Sequence, residues 1–368
     1  MQIPFVDLKA QYLSIKEEID QAIAQILQNT SFVGGSTVNQ FEKEFAQYIG
    51  IQHCISCANG TDAIEILLQA MGIGAGDEVI VPAISWIATS EAVSTVGGTP
   101  VFVDIEPEFY TLDPTKIEEK ITPNTKAIIP VHLYGQPANM PAIMEIAQKH
   151  NLKVLEDCAQ AHGAAIAGKT VGTWGDCGSF SFYPGKNLGA YGDAGGMVTN
   201  DATLAEKARR IANHGQLSKH DHQIEGRNSR MDTLQAAILS VKLRYLDPWT
   251  QARINHAQQY NQLLTHPEVT LPKVRPNSRH VYHLYVVRNS ERDNLKNSLK
   301  AQGIATGIHY PKALPFLACY QHYSFTEVDF PVAARCQEEI LSLPMYAELP
   351  PEHIHYITSA LNTQNVNS

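Results

Sequence analysis

Apolar residues in the first thirty positions fall three and four apart, at Tyr12, Ile15, Ile19, Ala22, Ile23 and Ile26, which is the stripe of one amphipathic helix. The Gly34-Gly35 pair ends that unit. From Cys54 to Asn200 the pattern changes to short β-branched runs, Val79–Val81, Val101–Asp104, Ala127–Val131 and Val154–Asp157, separated by helical stretches such as Asp62–Met71 and Pro141–His150. The runs are continuously apolar, as strands covered on both faces must be, so the alternation predicts an α/β layer structure around a mostly parallel sheet. Residues 201–264 read as three helices, Ala202–Ala212, Arg230–Tyr245 and Thr250–Leu264, with Pro248 breaking the last pair. Beyond Pro267, Pro272 and Pro276, Val281–Arg288 alternates like a strand, Arg292–Gln302 has helical spacing and Ile304–His309 is extended again. The expectation is a large α/β domain over 1–250, N-terminal helix included, and a smaller α+β domain over 251–368. There is no internal repeat, and the polar tail Asn362–Ser368 is expected to fray.

Composition narrows the classes without changing this outline. The 368 residues, 44% hydrophobic and 18% charged, can bury a large core, and collagen, disulfide-scaffold and disordered classes are excluded. With 28 Lys and Arg against 37 Asp and Glu the net charge is −9, and no dense basic run could track a phosphate backbone, so nucleic acid is not an expected partner. The opening MQIPFVDLKAQYLSIK has no continuous apolar core or cleavage site, and no apolar run approaches the ~18 residues of a membrane span. A cytoplasmic protein off the membrane is expected, its six Cys reduced and mostly buried.

Candidate chemistry is written in three places. Ala58-Asn59-Gly60-Thr61-Asp62 ends a strand and opens a helix, so its first N–H groups can cradle a phosphate or carboxylate; an ordinary turn capped by Thr61 or Asp62 fits equally well. Val154-Leu155-Glu156-Asp157 puts two carboxylates, on opposite faces, at the strand edge where open α/β sheets bind ligands. Asp157 there suits a cationic ring nitrogen, a metal or a ribose hydroxyl, with a helix N-cap as the plain alternative. In Ser181-Phe182-Tyr183-Pro184-Gly185-Lys186-Asn187-Leu188-Gly189, followed by Gly192, Gly195 and Gly196, a Lys is held between a strand and a glycine-rich loop. A partly desolvated amine there loses its proton readily and can form a Schiff base; alone, a solvated loop Lys is the simpler account. Together the three match pyridoxal 5'-phosphate, whose aldehyde needs a Lys, whose phosphate needs N–H donors and whose ring nitrogen needs an acid partner.

With these motifs the chain resembles the DegT-type sugar aminotransferase family, fold-type I pyridoxal-phosphate enzymes acting on nucleotide-linked keto sugars. The likeness extends through Val6-Asp7-Leu8, Pro130-Val131-His132-Leu133-Tyr134-Gly135, Glu156-Asp157-Cys158-Ala159-Gln160, His214-Gly215-Gln216, Asn228-Ser229-Arg230 and His309-Tyr310-Pro311, close to the whole chain. The resemblance implies that Lys186 bonds the cofactor and shuttles the proton, Asp157 pairs with the ring nitrogen, and Gln160 lies beside the phenolic oxygen. It further implies that Gly60, Thr61 and Ser181 hold the phosphate, that Trp86 stacks on the ring, and that Asn228 reaches the phosphate of a neighbouring subunit in a homodimer with shared sites. Arg230, His309 and Tyr310 are implied near the sugar or the donor carboxylate.

The implied reaction moves the amino group of L-glutamate to a nucleotide-linked keto sugar for surface polysaccharide or deoxyaminosugar synthesis. The run from Asn228 to Ala237 is most like members acting on 3-keto sugars, with 4-keto amination as the alternative, and Cys54–Asp62 resembles enzymes aminating UDP-2-acetamido-3-keto-glucuronic acid. Two departures from the family pattern, His220 and Lys312-Ala313-Leu314, fall where substrate contacts are made. Retention of Lys186 argues against the dehydratase branch, which carries His there, and retention of Lys186, Asp157 and Gln160 together argues against a non-catalytic sensor of cofactor or sugar nucleotide. Gly72-Ile73-Gly74-Ala75-Gly76 follows a helix and lacks the dinucleotide spacing. No metal site is expected: the thiols of Cys54-Ile55-Ser56-Cys57 face opposite sides of a strand, and the pairs His220/His222 and His353/His355 read as solvated loops.

Overall fold

The computed structural model describes residues 1–363. Strands β1 (His53–Cys57), β2 (Glu78–Pro82), β3 (Thr99–Val103), β4 (Thr125–Ile128) and β5 (Lys153–Asp157) precede a short hairpin, β6 (Ala165–Ile166) and β7 (Lys169–Thr170), then β8 (Cys177–Ser181) and β9 (Gly195–Thr199). Seven of these form one sheet in the order β1-β9-β8-β5-β4-β2-β3. Only β9 runs against its neighbours; the other pairings are parallel, as the continuous apolar runs predicted.

Helices α1 (Leu8–Ser14), α2 (Lys16–Asn29), α3 (Ser36–Ile49), α4 (Gly60–Ala70), α5 (Ala88–Thr95), α6 (Met140–His150), α7 (Ala202–Ala212), α8 (Thr233–Leu243) and α9 (Leu246–Leu263) surround the sheet. Alternate residues of each central strand enter separate cores. Val81 and Leu155 pack with Ala63 and Leu67 of α4, Ala92 of α5 and Ala208 of α7, while Ile80, Ile128 and Val154 pack with Ile143 and Ala147 of α6. The same alternation sends Cys57 to the first core and Cys54 to a third core with Phe41 and Phe45 of α3, so the two thiols do part company. All six cysteines are free, and five are buried.

Beyond α9, β10 (Ser278–Arg279) joins β6, and β11 (Tyr285–Arg288), α10 (Arg292–Ala301), α11 (Pro331–Glu339), β12 (Ile340–Leu343) and α12 (Pro351–Asn362) complete the described chain, with β11 antiparallel to β12. Several boundaries differ from the sequence pattern. The first helix is two, because Ile15 leaves helical geometry at φ −130°. Pro248 does not separate two helices but lies in the first turn of α9, where no N–H is needed. The helix expected from Arg230 starts at Thr233, since Asn228 forms a bridge with Asn213. The 304–309 segment contributes only isolated bridges, Ile304 to Ile3 and Gly307 to Ser342. His353 and His355 belong to α12, not to a loop. Asn362, expected to fray, is instead fastened: Nδ2 donates to Leu263 O at 2.8 Å and Oδ1 accepts from Thr265 N at 2.9 Å. The rest of that expected tail, 364–368, lies outside the described residues.

Candidate active site

The first wall of the site is the start of α4. Asn59 is the cap, its side chain accepting from Asp62 N at 2.8 Å, so neither Thr61 nor Asp62 plays that part. The chain is tightly folded here: a Cβ on Gly60 would stand 2.6 Å from Cβ of Ser181, and one on Gly195 would stand 2.2 Å from Asn59 O. Only glycine lets β8 and β9 approach the helix start this closely. Ser181 Oγ accepts from Tyr183 N at 3.3 Å, which leaves its hydrogen available to a ligand beside the Gly60 and Thr61 N–H groups.

The end of β5 is the floor. Asp157 is buried on the α5 side, Oδ1 accepting from Ala159 N at 3.1 Å and Oδ2 from Thr89 Oγ1 at 2.8 Å. No helix follows it, so it is not an N-cap. Burial pushes its carboxyl above the ordinary value, and the Ala159 and Thr89 bonds and the nearby charge of Lys186 pull it back. Glu156 turns to the other face, where its oxygens accept from Gly172 N at 2.8 Å, Trp174 N at 2.7 Å and Gly175 N at 2.9 Å, and it bonds His132 Nε2 at 3.0 Å. His132, Glu156 and Cys158 come close enough to share a metal ion, but Glu156 is already saturated and His132 Nδ1 accepts from Ala138 N at 3.0 Å.

Lys186 stands over this floor on a turn closed by Lys186 N donating to Tyr183 O at 2.8 Å, with Pro184 and Gly185 at its centre. Buried Lys242 of α8 supports the loop, Nζ donating to Gly189 O at 2.5 Å. Burial lowers the Lys186 amine to about 8 against the opposing charge of Asp157. Among the described residues Nζ makes no hydrogen bond or ion pair. Three imidazoles feel its charge: burial and then Lys186 push His162 down to about 3 and His309 to about 4, and His283 well below the ordinary value.

The remaining wall comes from late in the chain. Gln160 Oε1 accepts from Tyr134 N at 2.7 Å while Nε2 donates to Tyr310 OH at 2.9 Å. Tyr310 lies 5.5 Å, ring to ring, from Trp86, which is 58% exposed and so keeps ring surface free for a ligand. His309 is held by Ser342 Oγ at 2.9 Å and stacks on Phe5. Asp157, Lys186, Gln160, Trp86, His309 and Tyr310 are therefore linked in one cluster by contacts and mutual electrostatics, and Ser181 meets Gly60 at the start of α4. Asn228 and Arg230 do not join it through any side-chain hydrogen bond within one chain. Ser229 between them is buried, its hydroxyl accepting from Ala58 N at 3.2 Å, and the two flanking side chains face outward. Thr89, His162 and His283 carry no signal in the linear sequence; Tyr134 has a local one, its place before Gly135 in a turn, where it adopts φ 60°.

Comparison with known proteins adds ancestry to this geometry. The pattern of the DegT/DnrJ/EryC1/StrS aminotransferase family matches residues 13–362. The chain is 45% identical to the pleiotropic regulatory protein of Geobacillus stearothermophilus (98% of each chain) and 46% identical to the UDP-N-acetyl-3-dehydro-alpha-D-glucosamine 3-aminotransferase of Acidithiobacillus ferrooxidans (98% of this chain, 97% of the relative). It is 42% identical to the UDP-2-acetamido-2-deoxy-3-oxo-D-glucuronate aminotransferase of Pseudomonas aeruginosa (98% of this chain, 99% of the relative). The crystal structure of DesV from S. venezuelae, in complex with a ketimine intermediate, superposes with a TM-score of 0.96 at 42% identity over 98% of both chains. Family pattern, relatives and fold agree over nearly the whole length: the chain belongs to the DegT/DnrJ/EryC1/StrS aminotransferase family.

Proposed function

We propose that this chain is a pyridoxal-phosphate-dependent aminotransferase that moves the amino group of L-glutamate to C3 of a UDP-linked 2-acetamido-3-keto sugar. The observation that carries it is Lys186: a half-buried residue whose unpaired amine, of lowered basicity, faces a buried carboxylate that still has lone pairs to give. The residues fit the cofactor, with a helix start of free N–H groups and Ser181 for its phosphate, Asp157 for its ring nitrogen and the open face of Trp86 for its ring. When bound, pyridoxal phosphate supplies an electron sink for proton exchange at the carbon that carries nitrogen. Lys186 would hold the cofactor and, as a free amine lowered by burial to about 8, could take up or release that proton near neutral pH. Asp157 holds the ring-nitrogen proton, Gln160 orients the ring through the spare hydrogen of Nε2, and His162, His283 and His309 stay neutral beside Lys186.

The C3 position is supported by the names of two relatives, at 46% and 42% identity. The outward Asn228 and Arg230 support a homodimer in which each copy completes the other's site, Asn228 at the phosphate and Arg230 gripping a sugar carboxylate in bidentate fashion. The Arg230 assignment favours the glucuronic acid form of the sugar. The reaction is assigned to the cytoplasm, where free thiols such as these persist. A sensor role has one observation behind it, the regulatory name of a relative at 45% identity. The same experiment decides between them: the visible spectrum of the protein with pyridoxal phosphate, before and after L-glutamate, beside Lys186→Ala. A yellow band that bleaches with glutamate and is missing in the variant is expected; a band unmoved by glutamate favours a sensor of the cofactor, and no band sinks the aminotransferase and leaves a sensor of sugar nucleotide. Single-turnover reaction of the aminated enzyme then ranks 3-keto above 4-keto sugars, and Arg230→Ala is expected to weaken a carboxylate-bearing sugar far more than a neutral one.

A further inference from the structure

Asp157 is a buried carboxylate with no ion-pair partner among the described residues. The charged and titratable groups around its carboxyl are Lys186 from the loop after β8, His132 from the turn after β4, the adjacent buried thiol of Cys158 and Tyr310 from the late segment; His132 N donates to the Asp157 carbonyl at 3.0 Å, and no side chain of these four bonds the carboxylate. Its two hydrogen bonds are a local backbone N–H, from Ala159 to Oδ1 at 3.1 Å, and one side chain, Thr89 Oγ1 to Oδ2 at 2.8 Å. Thr89 is fully buried in the first turn of α5, and its Oγ1 is also 2.8 Å from Oγ of buried Ser85. A hydroxyl has one hydrogen. Since Thr89 spends it on Asp157, Ser85 must be the donor in the second bond, and the order runs Ser85 to Thr89 to Asp157. Such a chain polarises each member toward the anion.

We propose that Thr89, backed by Ser85, is a positioning residue for Asp157: it fixes Oδ2, keeps the carboxylate ionised in a buried place, and leaves its free lone pairs directed to the ring nitrogen of the cofactor. This rests on the cofactor proposed above. Thr89→Val keeps the shape and removes the hydroxyl, whereas Thr89→Ser keeps the hydroxyl and removes a methyl group. Two readouts are needed on the full-length protein. Carbon NMR of labelled aspartate in the cofactor-free protein follows the Asp157 carboxyl titration, and a binding titration gives the Kd for pyridoxal phosphate across pH.

In Thr89→Val the carboxyl midpoint is expected to move up and the Kd at neutral pH to weaken roughly tenfold, the scale of one hydrogen bond to a charged group, with the gap widening as pH falls. Thr89→Ser should stay near the parent in both. A Thr89→Val protein with the parent's midpoint and Kd overturns the inference. If Thr89→Val does not fold, Ser85→Ala takes its place, with a smaller shift in the same direction; no shift overturns the relay. A parent that fails to bind pyridoxal phosphate sinks the proposed cofactor, while the carboxyl titration still decides the role of Thr89.

Discussion

Two adjacent carboxylates at the end of β5 sit a few ångströms apart on opposite faces of one sheet, both buried, and do different work. Glu156 faces the α6 side and is saturated, tied to three backbone N–H groups of the 172–175 loop and to His132. Asp157 faces the α5 side with one bond to each oxygen and an unpaired Lys across the cleft. A buried anion with all its lone pairs engaged is part of the architecture, since removing it strands several donors at once. One left partly open in a cleft, with a perturbed partner, is placed for chemistry. Saturation, and not burial or charge, separates the two.

This contrast can be broken by paired substitutions. Asp157→Asn is expected to cut turnover on the order of 10²–10³-fold, the scale of a lost charge stabiliser, with little change in denaturation midpoint. Glu156→Gln should do the reverse: its amide hydrogens meet backbone donors, so stability falls by about 3 kcal/mol in urea unfolding while the cofactor site keeps its form. Equal effects of the two on both measurements would erase the distinction. Next in size is His162, fully buried with a folded value of about 3 against an ordinary 6.5. Between those values the unfolded chain binds a proton that the folded chain refuses, so stability is complete above 6.5 and is lost as pH falls toward 3. By pH 5 this amounts to ~2 kcal/mol, and His162→Phe should flatten that part of the acid slope in unfolding curves at pH 7 and 5.

The smallest effect sharpens the Asp157 side. In the cofactor-free protein the reaction of Lys186 with an aldehyde should rise with pH through about 8, because burial lowers the amine while the charge of Asp157 holds it up. Asp157→Asn removes the support, so the midpoint should fall further; an unchanged midpoint would mean that the two groups do not face each other.

Much of this is legible in the sequence alone. The continuous apolar runs gave the covered, mostly parallel sheet, and the alternation of faces along Val154-Leu155-Glu156-Asp157 separated the two carboxylates correctly. Even α3 has its stripe in view, at Val38, Phe41, Phe45 and Ile49. Helix ends were less legible, because Ile15, Pro248 and Asn59 act through local backbone geometry and caps that periodicity does not record.

The sequence by itself determined the chemistry on offer: a Lys on a glycine-flanked turn, a carboxylate at a strand end, and a helix start built for an anion, each specified by neighbours within a few positions. Only the tertiary structure decided which groups were occupied. Thr89 reaches Asp157 across 68 residues, Gln160 reaches Tyr310 across 150, and Ser229 meets Ala58 across 171, turning Asn228 and Arg230 outward. Hydrogen-bond saturation and burial depend on what long-range packing brings alongside a group, and a linear sequence carries no distance between such partners.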